Sequence, residues 1–415
     1  MALMRTTTRT RKRGSAAAAR ARSAVLTGRL EDAAAFVAEG LTFEPAGAQA
    51  AHLGYTAGLI SFYRGDLNDA ERELLAAHEA AEGAQDVRER AAIVTALGLI
   101  DFRRGSLDQA RDRYEEALIM GEEEGDQARV LTSLQNLAVV HHEEGAYREA
   151  MDTYQEALSL AESLEQTGRI IQLSGNLGNL YRYLGDIEAA LKVLDRGLAL
   201  ARDEENQYMQ GLLLVLLGDV YLGTEKWDQA REALVEAIEV TVATESVTEE
   251  LDARLGLTRL CLELRAYPQA SEEAKRALEI AQGAELRGHE AQAHALLAAA
   301  QGESIHGDVT LADRSMRDAL ARMEEVTSPD DQWKIWLEGM RHAQRRGETE
   351  NAHARGRKVR SILQSLEDAV PASHRSKFGS CRDRRRAWAE TLPGHGSTTV
   401  GSGLGDETWR RLLEI

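Results

Sequence analysis

An all-α solenoid of about nine stacked helical hairpins is the fold class the sequence predicts, and three observations predict it. A pattern of small and large residues returns every forty residues along most of the chain. Within each unit apolar residues recur at i, i+4 and i+7, as in Ala110, Tyr114 and Ala117, which is one face of a helix. The 415 residues include only five prolines, which favours long uninterrupted helices. A fixed period of this length marks a repeat array, in which no unit closes its own core and each is stabilised by its neighbours.

The unit is clearest at 174–190. Its turn glycine, Gly185, has a small residue seven before it (Gly178) and an aromatic four before (Tyr181). A bulky apolar residue follows at plus two (Ile187) and a small one at plus five (Ala190). The same frame falls on Gly65, Gly105 and Gly145 upstream, and on Glu225 and Arg265 downstream. Further units lie around Gly28, Gly307 and Gly347, which brings the total to nine. Small residues let two helix backbones approach, and glycine accepts the positive φ that a tight helix-to-helix bend commonly needs.

Taken in order, residues 1–14 contain Arg5, Arg9, Arg11, Lys12 and Arg13 and read as a disordered basic tail. The array is expected over 15–369. Units two to five keep the frame, with Gly83, Gly125, Gly168 and Asn206 marking the links between hairpins. Units six and seven carry Glu225 and Arg265 at the bend, which costs roughly 1 kcal/mol each. Unit eight has a two-residue insertion between Gly283 and Gly307, and unit nine loses the apolar frame at Thr349 and Gly356. Arginine-rich residues 370–392 read as a C-terminal cap with a helix around 380–389. Residues 393–406 form a flexible linker by composition, and 407–415 the start of a helix leading to a missing or following domain.

A net charge of -18 argues against a general grip on nucleic acid phosphates, so partners are expected to be proteins or peptides. No run approaches a membrane span, and the basic amino terminus has no apolar signal core behind it, so cytoplasm is the expected compartment. Two cysteines, Cys261 and Cys381, exclude a disulfide framework, and Cys261 sits in a slot filled elsewhere by Tyr181 and Tyr221. Adjacent His141 and His142 point about 100° apart on a helix, which is not a zinc-binding pair. The glycine-rich stretch 394–405 lacks the lysine and preceding strand of a phosphate loop. No catalytic, metal or cofactor site is expected, and the chain is not expected to be an enzyme.

Leu177, Gly178, Tyr181, Gly185, Ala190, Leu194 and Gly197 resemble the signature of a tetratricopeptide repeat, and the resemblance covers roughly residues 20–366. The units lack the closing proline of the commonest form and run to forty residues. In this they are similar to repeats of kinesin light chains, of the spindle adaptor LGN and of multidomain bacterial signalling and transcription regulators. In such regulators a helix like that at 407–415 follows the repeats and runs into a GAF sensor domain, often with an ATPase beyond it. The resemblance implies a right-handed superhelix whose first helices line a concave groove. Groove positions would then be Phe102, Arg103, Asn136, His142, Asn176, Asn179, Arg182, Tyr183, Asp219 and Arg259. Asparagine amides there can bind the main chain of an extended peptide or tie neighbouring helices together, and the arginines can pair with carboxylates. The expected function is a scaffold or sensor that binds a peptide or protein partner in the groove, within bacterial signal transduction or transcription regulation. The alternatives are a regulatory part of a kinase or protease system acting in trans, and a peptide-pheromone receptor.

Overall fold

The computed structural model describes residues 2–392, with side chains from residue 13 on apart from Leu26. The expected linker (393–406) and terminal helix (407–415) lie outside the described residues. Among the described residues all regular structure is helical, and the chain divides into two compact units, 1–164 and 165–415. The first holds α1 (Ala2–Leu26), α2 (Leu30–Leu41), α3 (Ala48–Tyr63), α4 (Leu67–Gly83), α5 (Val87–Arg103), α6 (Leu107–Glu123), α7 (Gln127–Glu143) and α8 (Tyr147–Ser163). The second holds α9 (Thr167–Leu184), α10 (Ile187–Asp203), α11 (Gln207–Gly223), α12 (Trp227–Ala243), α13 (Val247–Glu263), α14 (Tyr267–Gly283), α15 (Arg287–Glu303) and α16 (Val309–Ala321). It continues with α17 (Pro329–Arg345), α18 (Thr349–Ala369), α19 (Arg375–Ser380) and α20 (Arg382–Glu390). Through α18, each odd-numbered helix packs against the even-numbered helix that follows it, which gives the nine hairpins of the expected solenoid.

Helix α1 begins at Ala2, where the sequence suggests a disordered tail. Arginine and lysine are good helix formers, so the basic stretch, despite its four threonines, continues the first hairpin backwards once its later turns are anchored. That anchor is apolar: Ala18, Ala21, Ala24 and Val25 pack with Ala33, Val37, Leu53 and Ile60.

The bends carry the register. Gly65, Gly105, Gly145 and Gly185 have φ of 87°, 76°, 76° and 80°, and Glu225 and Arg265 take the same left-handed turn at 59° and 57°. In each bend the next N–H donates to the carbonyl five residues back, as in Asp186 to Tyr181 (2.8 Å) and Ser106 to Asp101 (2.9 Å). This closure satisfies carbonyls that the helix end leaves open. The same device recurs at the links between hairpins, at Gln85, Gly125, Glu205, Glu245 and Glu285, so the backbone period is twenty residues and not forty. A frame keyed to glycine misses it because four of those five positions carry glutamate or glutamine. Replacing exposed Glu245 by glycine is therefore expected to raise thermal stability by about 0.5 kcal/mol, the relief of left-handed strain less glycine's added chain entropy. A lower melting temperature in that variant would contradict the bend assignment.

Between the two helices of a hairpin, a small residue faces a large one sixteen positions on. A Cβ built on Gly58 would lie 2.6 Å from Leu74 Cγ, one on Gly98 2.7 Å from the Tyr114 ring, and one on Gly218 2.6 Å from Leu234. The same clash arises between Gly178 and Leu194. The unit-eight insertion falls in the α15–α16 connection, Ser304 to Asp308, and Gly307 is not among the left-handed bend glycines, whereas Gly347 is (φ 71°). Cys261 is buried with Ala266, Ala270 and Ala300, and burial pushes its thiol up to about 12.

Two buried histidines give the second unit a pH dependence. Burial lowers the pKa of His294 on α15 and of His342 on α17, the latter although its Nε2 lies 3.0 Å from Asp313. A depressed folded pKa means the histidines' contribution is fully present above their unfolded value of about 6.5 and is lost as pH falls through the folded value. In urea unfolding these two are thus expected to contribute a drop in stability below about pH 6.5, opposed by His289, whose pKa the Asp252 carboxylate raises. The drop should be shallower in a His294→Gln, His342→Gln double variant, and an identical drop would contradict the assignment.

Candidate functional site

In the second unit, α9, α11, α13 and α15 each pack against the first helix of the next hairpin, α17 being the last, while successive second helices make no comparable contact. The first helices therefore form the inner layer of this unit. Their polar positions connect. On α9, Arg182 donates from Nε and Nη2 to Asn179 Oδ1 (3.2 and 2.9 Å), and its Nη1 lies 4.0 Å from Asp219 on α11. Asp219 accepts from Arg259 Nη2 on α13 at 2.8 Å. Burial works to raise the Asp219 pKa, but Arg259 and then Arg182 outweigh it and hold the carboxyl below its ordinary value. Three successive repeats thus supply one row of alternating charge.

A fourth element joins the row. Asp330, in the first turn of α17, accepts from Lys334 Nζ (2.7 Å) and Trp333 Nε1 (3.0 Å) and pairs with Arg384 of α20 (3.3 Å). Against the cost of burial, Lys334 and Arg384 hold it well below the usual carboxylate range. Arg384 is itself buried: Nη1 donates to the Tyr183 carbonyl (2.7 Å), and its guanidinium stands 3.9 Å from the centre of the Phe378 ring and 5.0 Å from that of Tyr183.

Segment 370–392, expected as a cap, packs on α18 and also runs back to α9. Lys377 pairs with Asp186 (2.5 Å), Arg382 with Glu225 (2.8 Å) and with Glu263, and Arg386 with Glu263 (3.0 Å). Arg382 also lies over Trp227, 5.1 Å from the ring centre. The contacted residues are the first-bend ends of three successive hairpins. Sequence reasoning missed this docking, although the arginine run at 382–386 in an acidic chain was a signal for it.

The remaining sequence-predicted residues are held in other ways. Asn176 is half-buried on α9, and Tyr183 is buried beneath Arg384. In the first unit, Phe102 packs against the cluster of Ala110, Tyr114, Leu137 and Val140, so its ring is used in hairpin packing. Arg103 lies 5.6 Å from the Phe62 ring centre, His142 meets the Tyr147 ring edge-on at 5.9 Å, and Asn136 is half-buried. The structure connects Asn179, Arg182, Asp219 and Arg259 in one row.

Forty-residue helical hairpins with left-handed bends, stacked through small-to-large contacts, define a tetratricopeptide-type solenoid. Residues 83–266 match the family described as the MalT-like TPR region. No curated protein sequence matches the chain. Among solved structures it is similar to a Rap protein complexed with Competence and Sporulation Factor, at 14% identity and a TM-score of 0.63 over 86% of this chain and 99% of that one. The apo quorum sensor NprR from B. thuringiensis is similar at 14% identity and a TM-score of 0.62, over 85% and 98% of the two chains. A signal transduction ATPase with a tetratricopeptide repeat sensor from Pyrococcus horikoshii is similar at 15% identity and a TM-score of 0.55, over 83% of this chain and 54% of that one. At these identities the likeness is one of fold. Among the described residues no helix is long and apolar enough to cross a membrane.

Proposed function

We propose that this chain is a binding scaffold or sensor that holds a peptide or protein partner on the first-helix surface of its second unit, within bacterial signal transduction or transcription regulation. The observation that carries this reading is the row Asn179, Arg182, Asp219 and Arg259, in which three repeats combine charges of both signs on an inner face. Half-buried arginines there can take a partner carboxylate in two parallel hydrogen bonds, and the Asn179 amide can pair with a partner's main chain. The fold shared with a sensor-bearing ATPase supports a sensing role. No catalysis is proposed for the chain itself. The test is capture by the full chain against an Asn179→Ala, Arg182→Ala double variant. Partner recovery should fall about tenfold, the scale of one or two central contacts, while the circular dichroism melt stays nearly unchanged. Undiminished recovery, or a collapsed melt, would assign those residues to structure.

A signalling-peptide receptor is the second reading, favoured by fold likeness along nearly the whole of a factor-bound Rap protein and of a quorum sensor. In that case the recovered ligand is a short linear peptide, identified by mass spectrometry, and not a folded protein.

A further inference from the structure

We propose that the acidic row of first bends in the second unit is a recognition surface for an arginine-bearing helical segment, and that the chain's own residues 374–390 occupy it as a tethered competitor. It goes beyond the binding reading above, since it concerns the bend surface of Asp186, Glu225 and Glu263 and not the row of Asn179, Arg182, Asp219 and Arg259. The contact is unlike the hairpin contacts. Hairpins bury alanine and leucine faces, whereas Phe378 and Ala387 are the only buried apolar side chains of α19 and α20. The rest is charge: Lys377, Arg382, Arg384 and Arg386 meet Asp186, Glu225, Glu263 and Asp330.

The repeat geometry makes this a set of sites. Carboxylates at successive bends are spaced by the stacking of hairpins, and Tyr183 and Trp227 offer ring faces beside them. Arg384 and Arg382 thus each meet an acid and an aromatic ring, a combination that suits a planar guanidinium better than an ammonium. The Tyr183 carbonyl adds a directional acceptor for Arg384. A segment joined to α18 through 370–374 is presented at high effective concentration, so an external segment with the same arginine spacing must displace it.

The test uses a fluorescent peptide of residues 371–392 added to the full-length chain, read by anisotropy. An Arg382→Ala, Arg384→Ala, Arg386→Ala variant is expected to bind the peptide about tenfold or more tightly than the wild type, because the competent fraction rises. Hydrogen exchange across 375–390 should rise in parallel. Equal affinity for both proteins, or unchanged exchange, overturns the proposal. Should the triple variant not fold, Glu263→Arg serves instead. It should lose binding of a native peptide and bind one carrying Arg382→Glu and Arg386→Glu, and no preference between the two peptides overturns the proposal. None of these measurements uses Asn179, Arg182 or a cellular partner. Their failure leaves the binding reading standing, and undiminished partner capture by the Asn179, Arg182 variant leaves this one standing.

Discussion

Gly218→Leu is expected to destabilise the 165–415 unit by about 3 kcal/mol or more, the upper range for forcing volume into a packed core. Even a single added Cβ would sit 2.6 Å from Leu234 Cγ and Cδ2. In an open site a leucine would rotate away. Here it has nowhere to go, because Leu234 is fully buried and a Cβ on Gly256, on the other side, would lie 2.8 Å from the same Cδ2. One leucine is thus clasped between the glycines of two successive first helices, and enlarging either separates a hairpin and its neighbour together. Gly218→Ala should cost less, about 1–2 kcal/mol. Thermal or urea unfolding followed by circular dichroism measures both. A melt within about 2 °C of wild type for the leucine variant, far under the shift that such a loss implies, would mean that α11 and α12 do not approach as described.

Asp219→Ala is expected to cost about 2 kcal/mol, less than the loss for a fully buried ion pair because the side chain keeps partial access to water. The physical cause is what remains: Arg259 and Arg182 would stand on an inner surface facing each other without the carboxylate between them. The pH dependence has a definite sign. Since the folded carboxyl is held below its ordinary value, its contribution is fully present above the unfolded pKa of about 3.9 and is lost as pH falls through the folded value. The gap between wild type and variant should therefore be open at neutral pH and close in acid. A gap that does not change with pH would place the loss in packing and not in charge.

Much of this architecture was legible because steric rules leave few choices. A left-handed bend favours glycine, so Gly105, Gly145 and Gly185 mark one bend of the unit, and a leucine or tyrosine pressed on a helix backbone demands the small residue seven before. The links at Gln85, Glu205, Glu245 and Glu285 were illegible for the converse reason. Their backbone closure compensates for side chains that ordinarily avoid that conformation. The frame places Asn179, Arg182, Asp219 and Arg259 on corresponding faces, and their hydrogen bonds follow once the first helices stack. Phe102 sits at a related position but is apolar, and the neighbouring hairpin takes it into its packing.

What sequence could not place is the partner of the arginine run. Arg384 and Tyr183 are two hundred and one residues apart, and charge sign says that a basic segment seeks acids without saying which acids stand in line. That choice depends on where the stack brings Asp186, Glu225, Glu263 and Asp330.

The return of the C-terminal segment onto the first bends can be tested by zero-length carbodiimide crosslinking of the dilute full-length chain, mixed with an isotopically labelled copy. Lys377 Nζ and the Asp186 carboxylate, 2.5 Å apart, should yield a 186–377 link. The link should join peptides of a single isotopic composition, as an intramolecular contact requires. A product in which Lys377 is joined only to acids near it in sequence, or only to mixed-isotope partners, would contradict the fold of this surface.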